Sequence, residues 1–467
     1  MLARRQLGAC LLSVLLAACA SSPSNLSDER ITIDHVTVLD GRGGASIADA
    51  RVVVRGDRIE SMSRSLMAAP AHGRVIDGSG KFLLPGFIDM HAHLLTPRCD
   101  GAFDRELSGQ MVEQLLDFGI TTVRSPGNPT IEGLAFRDQL NAGAVRGPRA
   151  FASAEILNDP SMTPEAIRAY VRDALPYRPE YFKFHSRFPP ESVAVLVEAA
   201  HAENIPVIGH LQRTSTVQAI RLGVDHVTHA ADWSPEMLRP ESRAAYAAAR
   251  AANGPIKARL DWLEFLDLDS PEVNAAIEAL RSSGTSMDPT LVAYDSKFRD
   301  PASPRYRTNP YVDRIPTLSD DWRQCQAIAE DWTQADYGRW MRLWPKLLEY
   351  VRRLHDAGVL LTTGSDITNP WVIPGESIHQ EMEFLVEAGI SPSEVLRMSG
   401  ENAARALGRD DIGIVEEGRR ADLILLSADP RMSITNTRSI EWVMQGGRIV
   451  SRRSDASKSL LPSSLRR

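Results

Sequence analysis

The run Phe82-Leu83-Leu84-Pro85-Gly86-Phe87-Ile88-Asp89-Met90-His91-Ala92-His93-Leu94 constrains this chain more than any other. Apolar residues fill it, Pro85-Gly86 interrupts it, and two histidines one residue apart end it. Residues i and i+2 of a strand share a side, so the spacing predicts that His91 and His93 aim both imidazoles at one point, as two ligands of one metal ion must. A surface strand with two unrelated histidines is the alternative, and the apolar setting speaks against it. The pair sits at the C-terminal end of the strand, where a parallel α/β barrel gathers its functional groups.

Downstream, short apolar strands alternate with helical stretches, the pattern of a parallel sheet. Strands are expected at 120–123, 150–152, 181–184, 205–208, 224–227, 287–292 and 359–363, with helices at 110–118, 190–203, 214–222 and from about Pro374. With the first strand the count is eight, enough to close a barrel. Segments 230–283 and 295–345 exceed ordinary barrel loops and are expected to shape access to the C-terminal face. Tyr337, Trp340, Met341 and Trp344 fall at helical spacing and predict an apolar helix face. Alternating strands before Leu84 and after Asp422 predict a small β-sandwich built from both ends of the chain.

Pro85 to Leu94 resembles the first-strand signature of the amidohydrolase superfamily, metal-dependent hydrolases on a (β/α)8 barrel. Ala421-Asp422-Leu423-Ile424-Leu425-Leu426-Ser427-Ala428-Asp429-Pro430 resembles its C-terminal segment. The resemblance spans about Ile31 to Val450. It implies an α/β chain with a TIM barrel over 85–411 and a β-sandwich from 30–84 and 412–451.

Four more metal-ligand candidates are marked by this resemblance. Lys183 lies in the apolar strand Tyr181-Phe182-Lys183-Phe184, where an unpaired charge is costly. By itself it reads as a salt-bridged lysine; the resemblance implies a carbamate that bridges two ions. His210 and His229 end the fifth and sixth strands. His226 competes with His229, but strand alternation turns it to the other face, toward the surrounding helices. Asp366, in Thr363-Gly364-Ser365-Asp366, matches the family's aspartate after the eighth strand; a helix N-cap is its alternative. His379 reads as a residue supporting the site. His35, His72, His185, His201 and His355 read as structural or exposed.

The resemblance implies that His91, His93 and Asp366 hold one divalent ion and His210 and His229 another, bridged by the Lys183 carbamate and a hydroxide. Imidazole and oxygen donors suit zinc, with manganese or cobalt as alternatives. Asp366 would act as general base and then acid in hydrolysis of an amide bond. The pattern looks most like the imidazolonepropionase-related group that includes Xaa-Pro dipeptidases, so a dipeptide or N-acyl amino acid is the expected substrate. Arg187, Arg213 and Tyr294 follow strands four, five and seven and are candidate anchors for its carboxylate. A single-metal deaminase or cyclic-amide hydrolase, an esterase or lactonase, and a ligand-binding lipoprotein without turnover are the alternatives.

The first residues read as a bacterial lipoprotein signal: Arg4 and Arg5, the apolar Leu11 to Ala18, then Leu16-Ala17-Ala18-Cys19. Cleavage after Ala18 would leave lipid on Cys19 and a polar tether to residue 29. Ala20 rather than Asp points to the outer membrane, facing the periplasm. Cys99 and Cys325 would then remain, a candidate disulfide in an oxidising compartment. Residues 452–467 are polar and expected to be disordered. A net charge of -7 argues against nucleic acid. Self-association is left open.

Overall fold

A computed structural model describes residues 30–65, 73–98, 102–300, 302–303, 305, 308–324 and 331–452. The predicted signal peptide, Cys19 with its tether, His72, Cys99, Cys325 and the tail from 453 lie outside them. Among the described residues no helix is long and apolar enough to cross a membrane.

The chain begins with β1 (Arg30–Val38), β2 (Ile47–Arg55), β3 (Arg58–Arg64), β4 (Arg74–Asp77) and β5 (Phe82–Pro85). β1 and β2 are antiparallel, whereas β4 and β5 run parallel to β1. Their alternation buries Ile31, Ile33, Val36, Val38, Val52 and Val54 in one core with Leu83. A single residue, Gly86, then separates β5 from β6 (Phe87–Asp89), the first barrel strand.

After a short ribbon of β7 (Thr96–Pro97) and β8 (Phe103–Asp104), seven parallel strands follow. They are β9 (Ile120–Ser125), β10 (Arg149–Leu157), β11 (Tyr181–Phe184), β12 (Val207–His210), β13 (His226–Thr228), β14 (Ser286–Asp288) and β15 (Leu360–Leu361), each paired with its predecessor in the series from β6. Beyond β15, the Met90 N–H donates to Thr363 O at 2.9 Å and Ala92 bridges Ile367. These contacts join the last strand to the first and close the ring. The chain returns as β16 (Leu423–Leu426), β17 (Ile440–Gln445) and β18 (Arg448–Arg452), which extend the first sheet through β16 against β5. Ser451 and Arg452 therefore belong to a strand rather than to the tail, and Ser451 Oγ donates to Asp117 Oδ1 at 2.6 Å.

The seventh strand is shorter than 287–292. Pro289 removes a donor, Thr290 turns left-handed at φ 51°, and Leu291–Phe298 is a helix. The two long insertions are helical, with Pro240–Phe265 and Pro271–Ser283 in the first and Gln334–Asp356 closing the second. Tyr337, Trp340 and Trp344 are buried as their spacing predicts, while Met341 is exposed.

Candidate metal centre

β6 ends at Asp89, before the first histidine. Ile88 and Met90 pack with Tyr181 and Ile208, on the barrel floor. The chain bends beyond Asp89, whose Oδ1 accepts the N–H groups of His91 and Ser365, both at 3.0 Å. His91 and His93 thus converge because of this bend and the bridge at Ala92, and not by regular strand alternation. Their ring centroids lie 5.4 Å apart.

The opposite side of the centre comes from two other chain turns. His229 and Asp366 both adopt left-handed backbone, φ 71° and 59°. This conformation costs an L-residue roughly 1–2 kcal/mol. It swings each side chain out of strand alternation and toward the barrel axis. Asp366 Oδ1 then stands 3.3 Å from His91 Nε2 and 3.5 Å from His93 Nε2. The three residues offer donor atoms within 4.8 Å of one another, a spacing that fits one ion. The His229 ring lies 4.9 Å from His91 and 4.4 Å from His210.

The imidazoles are held for coordination. His93 Nδ1 donates to Gly127 O at 2.6 Å, which turns Nε2 toward Asp366. His91 Nδ1 lies 2.7 Å from Asp288 Oδ2, and His229 Nδ1 lies 2.6 Å from Thr290 Oγ1. A partner on the outer nitrogen fixes the ring and its tautomer, as metal-ligating histidines require. Burial pushes His91, His210 and His229 well below the usual imidazole range, so all three are neutral. Burial opposes ionisation of Asp366, but the Lys297 amine at 3.5 Å holds its carboxylate well below the usual range.

Lys183 projects from β11 into the same cavity, of about 450 Å³, that His91, His93, His210, His229 and Asp366 line. It is 1% exposed. Among the described residues no carboxylate lies within ion-pair distance of its amine, so the salt-bridge reading fails. Burial pushes the ammonium down to about 8, despite the more distant Asp288 and Asp366. An unpaired buried amine beside neutral imidazoles suits a carbamate, which would supply the missing oxygen donors. Among the described residues, the donors of His91, His93 and Asp366 fit one divalent ion.

The remaining sequence candidates stand elsewhere. His379 is fully buried, with Nδ1 2.9 Å from Thr437 Oγ1, Nε2 donating to Phe118 O at 3.1 Å, and its ring edge-on to Phe87. It ties its helix to the turn between β16 and β17 and to the end of helix Arg105–Asp117, and is absent from the cavity wall. Tyr294 sits on the helix after β14, its hydroxyl 3.2 Å from Ala231 O, packed against the outer edge of His229. Arg187 and Arg213 are exposed and lie outside the cavity lining. His226 faces the barrel floor rather than the surrounding helices: its Nδ1 is 2.7 Å from Ser286 Oγ and its ring meets Tyr181 edge-on. His185, read as structural or exposed, lines the cavity and stacks on His210 with centroids 3.8 Å apart. Burial and the neighbouring Lys183 push it down to about 3.

Three residues beneath or beside the centre escaped the sequence. Asp288 and Arg124 form a buried pair at 2.5 Å under His91, and Arg124 Nε also donates to Met90 O. Lys297 reaches the cavity from the helix after β14. Isolated charges in apolar strands are the available signal, and Arg124 carried it in Thr121-Thr122-Val123-Arg124.

Residues 82–450 match the amidohydrolase family. Over 404 residues the chain is 24% identical to imidazolonepropionase from Streptomyces griseus, covering 82% of this chain and 86% of that one. Two solved structures share the fold. A Xaa-Pro dipeptidase with bound methionine in the active site superposes with a TM-score of 0.65 at 19% identity, over 90% of this chain and 99% of its own. Bottromycin amidohydrolase gives 0.68 at 21% identity, over 92% and 88%. The chain belongs to the amidohydrolase family and is a hydrolase acting on carbon–nitrogen bonds.

Proposed function

We propose that this hydrolase cleaves the amide bond of a dipeptide or N-acyl amino acid, using two divalent ions, zinc by the character of the donors, and a carboxylated Lys183. The buried Lys183 carries the reading, because among the described residues no carboxylate stands at ion-pair distance to account for a lysine placed there. His91, His93 and Asp366 would hold one ion, His210 and His229 the other, and the Lys183 carbamate both. Bound ions of this kind acidify a water molecule and polarise a carbonyl. Asp366 then takes the water's proton and returns it to the leaving nitrogen. Its carboxylate is suited to this, since Lys297 beside it favours the ionised form. The likeness to a Xaa-Pro dipeptidase holding an amino acid supports the substrate class.

Elemental analysis of protein purified without chelators, reconstituted with zinc and bicarbonate, tests the centre. About two ions per chain are expected. One ion would shift the assignment to a single-metal hydrolase with Lys183 unmodified, and none would sink it. For location, the reading is a lipid on Cys19 and the outer membrane, supported by the segment Leu16 to Cys19. Release of a Cys19→Ala variant from the membrane fraction is expected; its retention would overturn the anchor.

A further inference from the structure

Apart from Lys183, Lys297 is the one lysine or arginine among the described residues that line the cavity. Its side chain is 17% exposed, and its amine meets a single acceptor, Asp366 Oδ2, at the long distance of 3.5 Å. The other oxygen of that carboxylate already faces His91 and His93. Behind Lys297 stands a second cation. Arg259 stacks over Trp233 at 5.2 Å and over Phe298 at 5.5 Å, and its Nε is buried without an acceptor. No described carboxylate lies within ion-pair distance of Arg259. The other acid of the cavity wall, Glu155, stands on β10. In the eight-strand ring β10 is four places from β14, after which Lys297 emerges, so Glu155 occupies the far side of the mouth.

Lys297 and Arg259 therefore have one carboxylate at contact distance between them, Asp366, in a site that must also accept divalent cations. Asp232 and Asp295, of the same wall after β13 and β14, are taken up by Thr216 and Arg299. Such a wall is electrostatically incomplete until an anion reaches it. We propose that Lys297 anchors an anionic group of the substrate, a carboxylate, with the Arg259 charge reinforcing it from behind. The proposal rests on the reading of the cavity as an amide-hydrolysing site and adds the residue that selects among its substrates. It directs the substrate's carboxylate toward the β14 side, with the scissile amide over the histidines. Arg187, Arg213 and Tyr294 are thereby relieved of that role.

Two measurements test this independently. The first is calorimetric binding of L-leucine and L-leucinamide to the zinc-loaded protein, since the two ligands differ only in the carboxylate. Leucine is expected to bind about 10–100-fold more tightly, the range of a hydrogen bond to a charged group. Lys297→Met should erase that preference and Lys297→Arg should retain part of it, with zinc content unchanged in both. The second is the ratio of kcat/KM for leucyl-leucine over leucyl-leucinamide, expected to fall to about one in Lys297→Met, with the loss carried by KM. Equal binding of the two ligands by the unaltered protein would overturn the anchor, whatever the protein hydrolyses. Preference for leucine without any turnover would keep the anchor and overturn the hydrolase assignment. An equal loss of kcat for both peptides in Lys297→Met would mean that Lys297 only positions Asp366.

Discussion

Asp288 divides its carboxylate between two buried partners: Oδ2 lies 2.7 Å from His91 Nδ1, and Oδ1 takes the Arg124 guanidinium at 2.5 Å. All three groups are 1% exposed or less. The residue that orients the first candidate metal ligand is thus also the counter-charge of a cation sealed beneath the barrel mouth. Replacing it should affect two properties at once. Asp288→Asn preserves shape but weakens the hold on the His91 ring, and metal affinity should fall about 10–100-fold. Asp288→Ala additionally strands Arg124 and should cost about 3–5 kcal/mol of stability. Metal titration followed by denaturant unfolding checks both. Unchanged affinity in Asp288→Asn would show that the ring needs no carboxylate to hold it.

Lys183→Ala tests the carbamate directly. The substitution removes the amine and leaves a void among His91, His210 and His229, so a short carboxylic acid can occupy the place of the carbamate. Activity should fall at least a hundredfold, with reduced metal content, and recover partly on addition of propionate. A lysine with only a structural role predicts no rescue, because a free carboxylate restores neither its stem nor its charge.

The small sheet offers a pH test away from the metals. Asp34 is held down at about 2, first by its hydrogen bond from Arg51, against burial, and further by Ser65. The Arg51 contact is 2.5 Å, and both side chains are about nine-tenths buried. A carboxylate depressed in the folded state contributes stability above its unfolded value near 3.8, and the contribution disappears as pH falls toward 2. Partial solvent screening lowers the full linkage value to about 1–2 kcal/mol. Asp34→Asn should therefore lower stability at pH 7 by that amount. The gap between variant and parent should close between pH 4 and pH 2. A gap that persists to pH 2 would assign the loss to packing.

The metal-ligand candidates were legible because each lies near or just beyond the C-terminal end of a strand and the strands follow one another in the chain. What the sequence concealed lies across the ring. Asp288 and Arg124 meet only because β9 and β14 face one barrel interior, and nothing local in either segment announces the other. His226 was assigned to the wrong side because strand alternation was carried through to His229. That residue's left-handed backbone ends the alternation, so the two histidines differ by a turn of the chain and not by a strand face. His185 was passed over for a related reason: it stands just beyond β11, where period-two counting stops, yet its ring folds back onto His210. Lys297 could not be placed because its helix was read in part as strand.

Gly86 is where the two halves of the molecule meet, and its replacement tests how tightly they are joined. β5 belongs to the small sheet and β6 to the barrel, with Gly86 alone between them, its N–H donating to Asp422 O at 2.9 Å. A Cβ built there would fall 2.2 Å from Thr121 Oγ1 and 2.4 Å from Thr121 Cγ2. The Thr121 side chain is 1% exposed and sits on β9, so it has little room to withdraw. Gly86→Ala should destabilise the protein by about 1–3 kcal/mol, the usual cost of overpacking a filled core. Because Thr121 crowds the position, removing its branch should help: Thr121→Ser in the Gly86→Ala background should recover part of the loss. Independent, additive effects of the two substitutions would show that the added methyl is accommodated by movement of the small sheet instead of by the barrel wall.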